Sequence, residues 1–117
     1  MLYSVAMSVE AKQLDSGVAV ITISGRLAIG GEVERLEAAV NGLLKNQQKK
    51  FVLDITGLEY VDSSGVGMLV ASLTQVKKAG GDLRLAGANA RIQRILNMTG
   101  VNSLIPMFPT LADATAA

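Results

Sequence analysis

Phe51-Val52-Leu53-Asp54-Ile55 is short and almost uniformly apolar, and no other stretch restricts the fold as much. An unbroken apolar run of this length belongs in a central strand, covered on both faces as parallel strands usually are. Val18-Ala19-Val20-Ile21-Thr22-Ile23 is a second such run, β-branched and nearly all apolar. Strands of this kind need layers above and below them, and the segments between them supply the helical periodicity. From Glu32, residues Val33, Leu36, Val40, Leu43 and Leu44 share one helical face, while Glu34, Glu37 and Asn41 face away. After residue 65, Val66, Leu69, Val70, Leu73 and Val76 recur in the same way.

The remaining punctuation completes the order. Val9, Ala11 and Leu14 interleave with polar residues as in a half-solvated strand, and Asp15-Ser16-Gly17 is a turn signal. A hairpin therefore opens the domain. Ser24 to Gly31 reads as a loop that matches no phosphate-binding glycine pattern. Lys45 to Lys50 is a solvated basic stretch closing the first helix. Lys77-Lys78-Ala79-Gly80-Gly81 places cations in the last turn of the second helix and offers glycine for its C-cap. Leu83-Arg84-Leu85-Ala86 is a short strand. Asn89 caps a third helix with Ile92, Ile95 and Leu96 inward, and Gly100 stops it. A last short strand within Val101 to Phe108 is bounded by Pro106 and Pro109, and Thr110-Leu111-Ala112-Asp113 opens a small terminal helix. The expectation is one α/β domain spanning 1–117. Its mixed, mainly parallel sheet has four to five strands and is accompanied by about four helices.

Composition narrows the chemistry. Half of the 117 residues are hydrophobic, but there are only two Phe, two Tyr and no Trp, so the core must be aliphatic. With 11 Lys and Arg against 10 acids the net charge is +1, too small an excess to make nucleic acid or an anionic membrane the main partner. The absence of Cys and His excludes thiol chemistry, thiolate or imidazole metal sites and a histidine general base. No cofactor or metal is expected. No apolar run approaches the ~18 residues of a membrane span, and the N-terminus lacks a basic region followed by an apolar stretch, so a cytoplasmic setting is expected.

The stretch where chemistry could reside is Tyr60-Val61-Asp62-Ser63-Ser64-Gly65-Val66-Gly67. It reads as the turn from the buried strand Phe51–Ile55 into the second helix, and its ordinary role is capping by Asp62 or Ser63. A wheel at about 100° per residue centres the apolar face between Val66, Leu69 and Leu73. Ser64 then falls opposite, with Gly67, Met68, Ala71 and Gln75, whereas Ser63 projects nearer the core. No charge occurs between Asp62 and Lys77, so this outer strip suits a protein partner better than water. A serine nucleophile would need a base; the chain has no His, no Ser-x-x-Lys and no hydrolase elbow. A phosphate acceptor fits better. At a helix N-terminus an anion gains about 0.3–1 kcal/mol, whereas burying an unpaired dianion in a protein contact costs roughly several kcal/mol.

The segment Ser24-Gly25-Arg26-Leu27, the strand Phe51-Val52-Leu53-Asp54, the signature Val61-Asp62-Ser63-Ser64-Gly65-Val66-Gly67, the run Leu83-Arg84-Leu85-Ala86-Gly87, then Ile95-Leu96 and Thr99-Gly100 together resemble the STAS domain family. Within it the chain resembles in particular the bacterial anti-anti-sigma factors. The resemblance implies a non-enzymatic binding switch regulating sigma-factor-dependent transcription. Its partner would be an anti-sigma factor that is also a serine kinase, and a serine phosphatase would reset it. It implies phosphorylation at Ser64, with Ser63 the second choice, and a partner contact through Asp62, Ser63, Ser64, Gly65, Gly67, Met68, Ala71, Gln75, Arg26 and Ala28. A monomer or weak dimer is expected, without direct contact to nucleic acid or membrane. Ala28 stands where such members often carry an acid. That departure keeps open a second role, as an unphosphorylated STAS scaffold or accessory subunit of a transporter or signalling complex.

Overall fold

The computed structural model describes residues 9–14, 16–29 and 31–116. Strands β1 (Val9–Gln13) and β2 (Val18–Ile23) form the expected antiparallel hairpin, Val9 opposite Ile23. Gly17 turns it at φ +90°; Asp15, placed in the same turn from sequence, lies outside the described residues. A short strand β3 (Gly25–Leu27) follows directly, then helix α1 (Gly31–Lys45). Next come β4 (Lys50–Asp54), β5 (Leu58–Val61), α2 (Ser63–Lys78), β6 (Asp82–Ala86) and α3 (Ala90–Met98). A 3-10 turn at Val101–Ser103, β7 (Met107–Phe108) and α4 (Leu111–Ala116) complete the chain.

The main sheet has five strands in the order β1-β2-β4-β6-β7, parallel except for the β1–β2 hairpin. β4 is its middle strand, and Phe51, Val52 and Leu53 are all at most 2 % exposed. Alternation then divides the sheet residues between two cores. Ala19, Ile21, Ile23, Phe51, Leu53, Leu83 and Leu85 join the aliphatic faces of α1, α2 and α3. Val18, Val20, Val52 and Ala86 meet Ala114 and Leu111 of α4. The caps read from sequence are in place. Asn89 Oδ1 accepts from Ile92 N–H at 2.9 Å, and Thr110 Oγ1 accepts from Asp113 N–H at 3.1 Å. Gly80, at φ +85°, ends α2, with Gly81 N–H donating back to the Val76 carbonyl. Among the described residues no helix is long and apolar enough to cross a membrane.

Two expectations fail here. The Ser24–Gly31 stretch, read as a loop, contains β3; Gly30 within it lies outside the described residues. β4 does not run into α2. A tight turn closed by Leu58 N–H on the Ile55 carbonyl interrupts it, and β5 intervenes, pairing parallel with β3 as a separate two-stranded sheet. Three- and four-residue strands offer too few positions for a period to emerge; their pairing with each other makes them strands.

The phase of α2 also differs from the wheel. Gly65, Met68, Leu69, Ser72 and Val76 are its buried residues, and Val66, Val70 and Leu73 are half-buried on a flank. A wheel weighted by hydrophobic bulk discounts Gly65 and Ser72, whose small size is what lets the helix approach closely. Met68, expected on an outer strip, is 7 % exposed and belongs to the core. Ser72 is fully buried, and its Oγ has no hydrogen-bond partner. An unsatisfied buried hydroxyl destabilises by about 1–3 kcal/mol, and alanine is also the better helix former. Ser72→Ala is therefore expected to stabilise the fold by about 1 kcal/mol, read as a higher urea midpoint with unchanged slope.

Candidate functional site

The site is built where β3 and β5 end and α2 begins. Leu27 pairs with Val61, and both side chains point into the core. Their pairing brings the next residues of each strand, Ala28-Ile29 and Asp62, side by side. Asp62 has extended backbone (φ −103°, ψ −174°) and caps α2, Oδ1 accepting from Gly65 N–H at 2.8 Å. Its other oxygen accepts from Ile29 N–H at 3.1 Å, and its own N–H donates to the Leu27 carbonyl at 3.3 Å. Asp62 is thus both a helix cap and a tie to the loop leading into α1. These donors, the Gly65 N–H first and the Ile29 N–H second, hold its carboxyl below the ordinary aspartate range.

Gly65 is the second half of the junction. A Cβ there would collide with the Leu27 carbonyl oxygen and the Val61 side chain, so the first turn of α2 can lie this close only with glycine. Two residues on, Gly67 is exposed and a Cβ there would meet nothing within 4 Å.

The residues singled out from sequence separate accordingly. Ser63, Gly67 and Arg26 are exposed; Asp62, Ser64, Ala71 and Gln75 are half-buried. Gly65, Met68 and Ala28 are buried, Ala28 at 6 % exposure, and so offer no surface to a partner. Ser63 is the outward serine and Ser64 the partly covered one, the reverse of the wheel's ordering. Gln75 Oε1 is buried without a partner. Sequence reasoning missed Tyr60, 42 % exposed, and Ile29, 82 % exposed, on the same rim. Arg26 and Tyr60 face each other in register, with the guanidinium carbon 4.4 Å from the ring centroid. Among the described residues no group of His, Cys, Asp and Glu could hold a metal ion.

A capped turn that presents two serines beside a parallel sheet of this order defines a class of α/β regulatory domain, and comparison places the chain within one family. The STAS domain model matches residues 9–114, and the chain belongs to that family. It is 28% identical over 99 residues to the anti-sigma-B factor antagonist of Bacillus subtilis, covering 85% of this chain and 88% of that one. A crystal structure of an anti-sigma factor antagonist from Mycobacterium paratuberculosis superposes with a TM-score of 0.78 at 26% identity, over 92% of this chain and 90% of the other. The Bacillus cell fate determinant SpoIIAA in its phosphorylated form shares the fold, with a TM-score of 0.72 at 18% identity over 92% and 96% of the two chains.

The junction makes opposite predictions for one substitution at two neighbouring glycines. Gly65→Ala should destabilise by about 1–3 kcal/mol or more through overpacking. Gly67→Ala should stabilise by up to about 1 kcal/mol through helix propensity. Chemical denaturation of both variants measures the contrast.

Asp62 adds a pH dependence. Because its folded-state pKa is depressed, its contribution is present above the unfolded value of about 3.9 and is lost as pH falls from there through the folded value. Asp62→Asn can still accept from Gly65, but its amide nitrogen cannot accept from Ile29. The melting-temperature gap between wild type and Asp62→Asn should be full at pH 7 and should close progressively below about pH 4. A gap that stays constant to pH 2.5 would contradict the role assigned to the carboxylate.

Proposed function

We propose that this chain is an anti-sigma factor antagonist. It binds an anti-sigma factor that is also a serine kinase, and phosphorylation at Ser64 releases it. The observation that supports this most is the Asp62-Ser63-Ser64-Gly65 turn at the start of α2 on a STAS scaffold, together with relatives that are antagonists of anti-sigma factors. In the transfer, the Ser64 Oγ–phosphorus bond forms as the bond from the γ-phosphorus of ATP to its bridging oxygen breaks. ADP leaves, and the hydroxyl proton passes to a base on the kinase. The chain itself acts by binding, and a serine phosphatase would restore the hydroxyl. A cytoplasmic monomer or weak dimer is the form this cycle needs.

Exposure does not select Ser64, since Ser63 is the more open of the two; the choice rests on its place in the motif. The phosphate would enter beside a carboxylate held in its charged form. Repulsion from Asp62 therefore offsets part of the helix-dipole gain of about 0.3–1 kcal/mol. Inside a dry contact the same dianion costs roughly several kcal/mol unless paired, so the complex is lost while the fold is kept. Incubation with the cognate kinase and ATP, followed by tandem mass spectrometry, should place one phosphate on Ser64, abolished in Ser64→Ala and retained in Ser63→Ala. Absence of phosphate, with Ser64→Asp binding the kinase as well as wild type does, overturns the switch. The second reading, a constitutive scaffold or transporter subunit, draws on the buried Ala28 in place of a surface acid. It expects Ser64→Asp to leave association with a permease unchanged.

A further inference from the structure

Arg26, Tyr60 and Ile29 form a rim beside the two serines that takes no part in the phosphate chemistry itself. A single exposed isoleucine on a protein surface requires no explanation. Ile29, at 82 % exposure, is the most exposed large apolar side chain among the described residues, yet its backbone is tied to the Asp62 carboxylate. The knob is exposed on a fixed support, so its own ordering cost on binding is small. Arg26 is likewise ordered before any partner arrives. It stacks on Tyr60, and among the described residues it has no acidic partner. A guanidinium placed over an aromatic ring leaves N–H groups for a planar acceptor, and carboxylate is the protein group that matches this fork. Tyr and Arg are also the side chains most often found to dominate binding energy at interfaces.

Resting on the antagonist reading, we infer that Arg26, Tyr60 and Ile29 are the specificity contact for the kinase. The partner presents a carboxylate to the Arg26 fork beside an apolar pocket that takes Ile29. Neighbouring Glu59 is exposed and Asp62 is ionised, so the rim carries mixed charge and suits a protein with one placed acid better than an anionic membrane. Arg26 thereby selects partners with an acid at this place and rejects those with a base.

The test measures affinity for the anti-sigma serine kinase from the same genome by calorimetry, using the full chain. Ile29→Ser and Arg26→Glu should each weaken binding about tenfold or more. Arg26→Lys should also lose affinity, because ammonium does not reproduce the fork. Thr74→Ala, on the exposed side of α2, should match wild type. Replacing the partner's acid with arginine should restore binding to Arg26→Glu. Thermal melts check that each variant is folded. If both rim variants bind within about twofold of wild type while Ser64→Asp does not bind, the inference fails and the switch stands. If wild type neither binds nor is phosphorylated, the antagonist reading fails first. If Arg26→Glu instead breaks a dimer of this chain and leaves kinase binding intact, the rim is a self-contact and the inference is overturned.

Discussion

The first turn of α2 is packed so closely on the Leu27 carbonyl that only glycine fits at position 65, and Asp62 closes the same junction with both carboxylate oxygens. Most of the site follows from that contact. It fixes where α2 starts relative to β3 and how the loop after β3 leaves the strand. It also orders the backbone of Ile29, the most exposed large apolar residue among those described. The two-stranded β3–β5 sheet exists to hold this junction: Leu27 and Val61 anchor it inward, and Arg26 and Tyr60 are left on the outside. A cap that only ended a helix would use one carboxylate oxygen. Here the second oxygen couples two segments that lie 33 residues apart.

That coupling changes what a helix N-terminus means in this chain. An unoccupied N-terminus attracts an anion through free N–H groups and the aligned dipole. Here a resident carboxylate already takes the Gly65 N–H of the helix and, with its other oxygen, the Ile29 N–H of the facing loop. A phosphate added at Ser63 or Ser64 could not take the place of Asp62 without freeing the Ile29 N–H.

Much of the fold was legible because it rests on patterns long enough to read. The uniform apolar run of β4, the hairpin, the period of α1 and the caps at Asn89 and Thr110 each use local chemistry that a sequence displays. What escaped depends on pairing across distance. β3 and β5 are strands because each finds the other, and neither is long enough to show a period. The Arg26–Tyr60 stack inherits that difficulty, since it exists only once their register is known. The phase of α2 failed for a different reason. Its closest approach is made at a glycine, and a serine is among its buried residues; small residues carry little weight on a wheel even where the helix packs.

The phase of α2 also separates the two serines in a way that bears on recognition. Ser63 is open and Ser64 is partly covered, so a kinase that modifies Ser64 must approach along the rim rather than straight onto the helix end. The rim on offer is the β3–β5 edge with its stacked cation and the tied isoleucine. Met68, Gly65 and Ala28 are buried, which removes the middle of the strip once expected along α2 and leaves no continuous apolar track there. On the rim the exposed groups beside the turn are Arg26, Tyr60 and Ile29 together with Ser63 and Gly67. Gly67 fits that geometry: it gives up helix stability of about 1 kcal/mol relative to alanine while keeping the ground beside both hydroxyls flat. On the antagonist reading, one small open floor, one apolar knob and a guanidinium without an acidic partner among the described residues favour a partner that arrives in a single orientation.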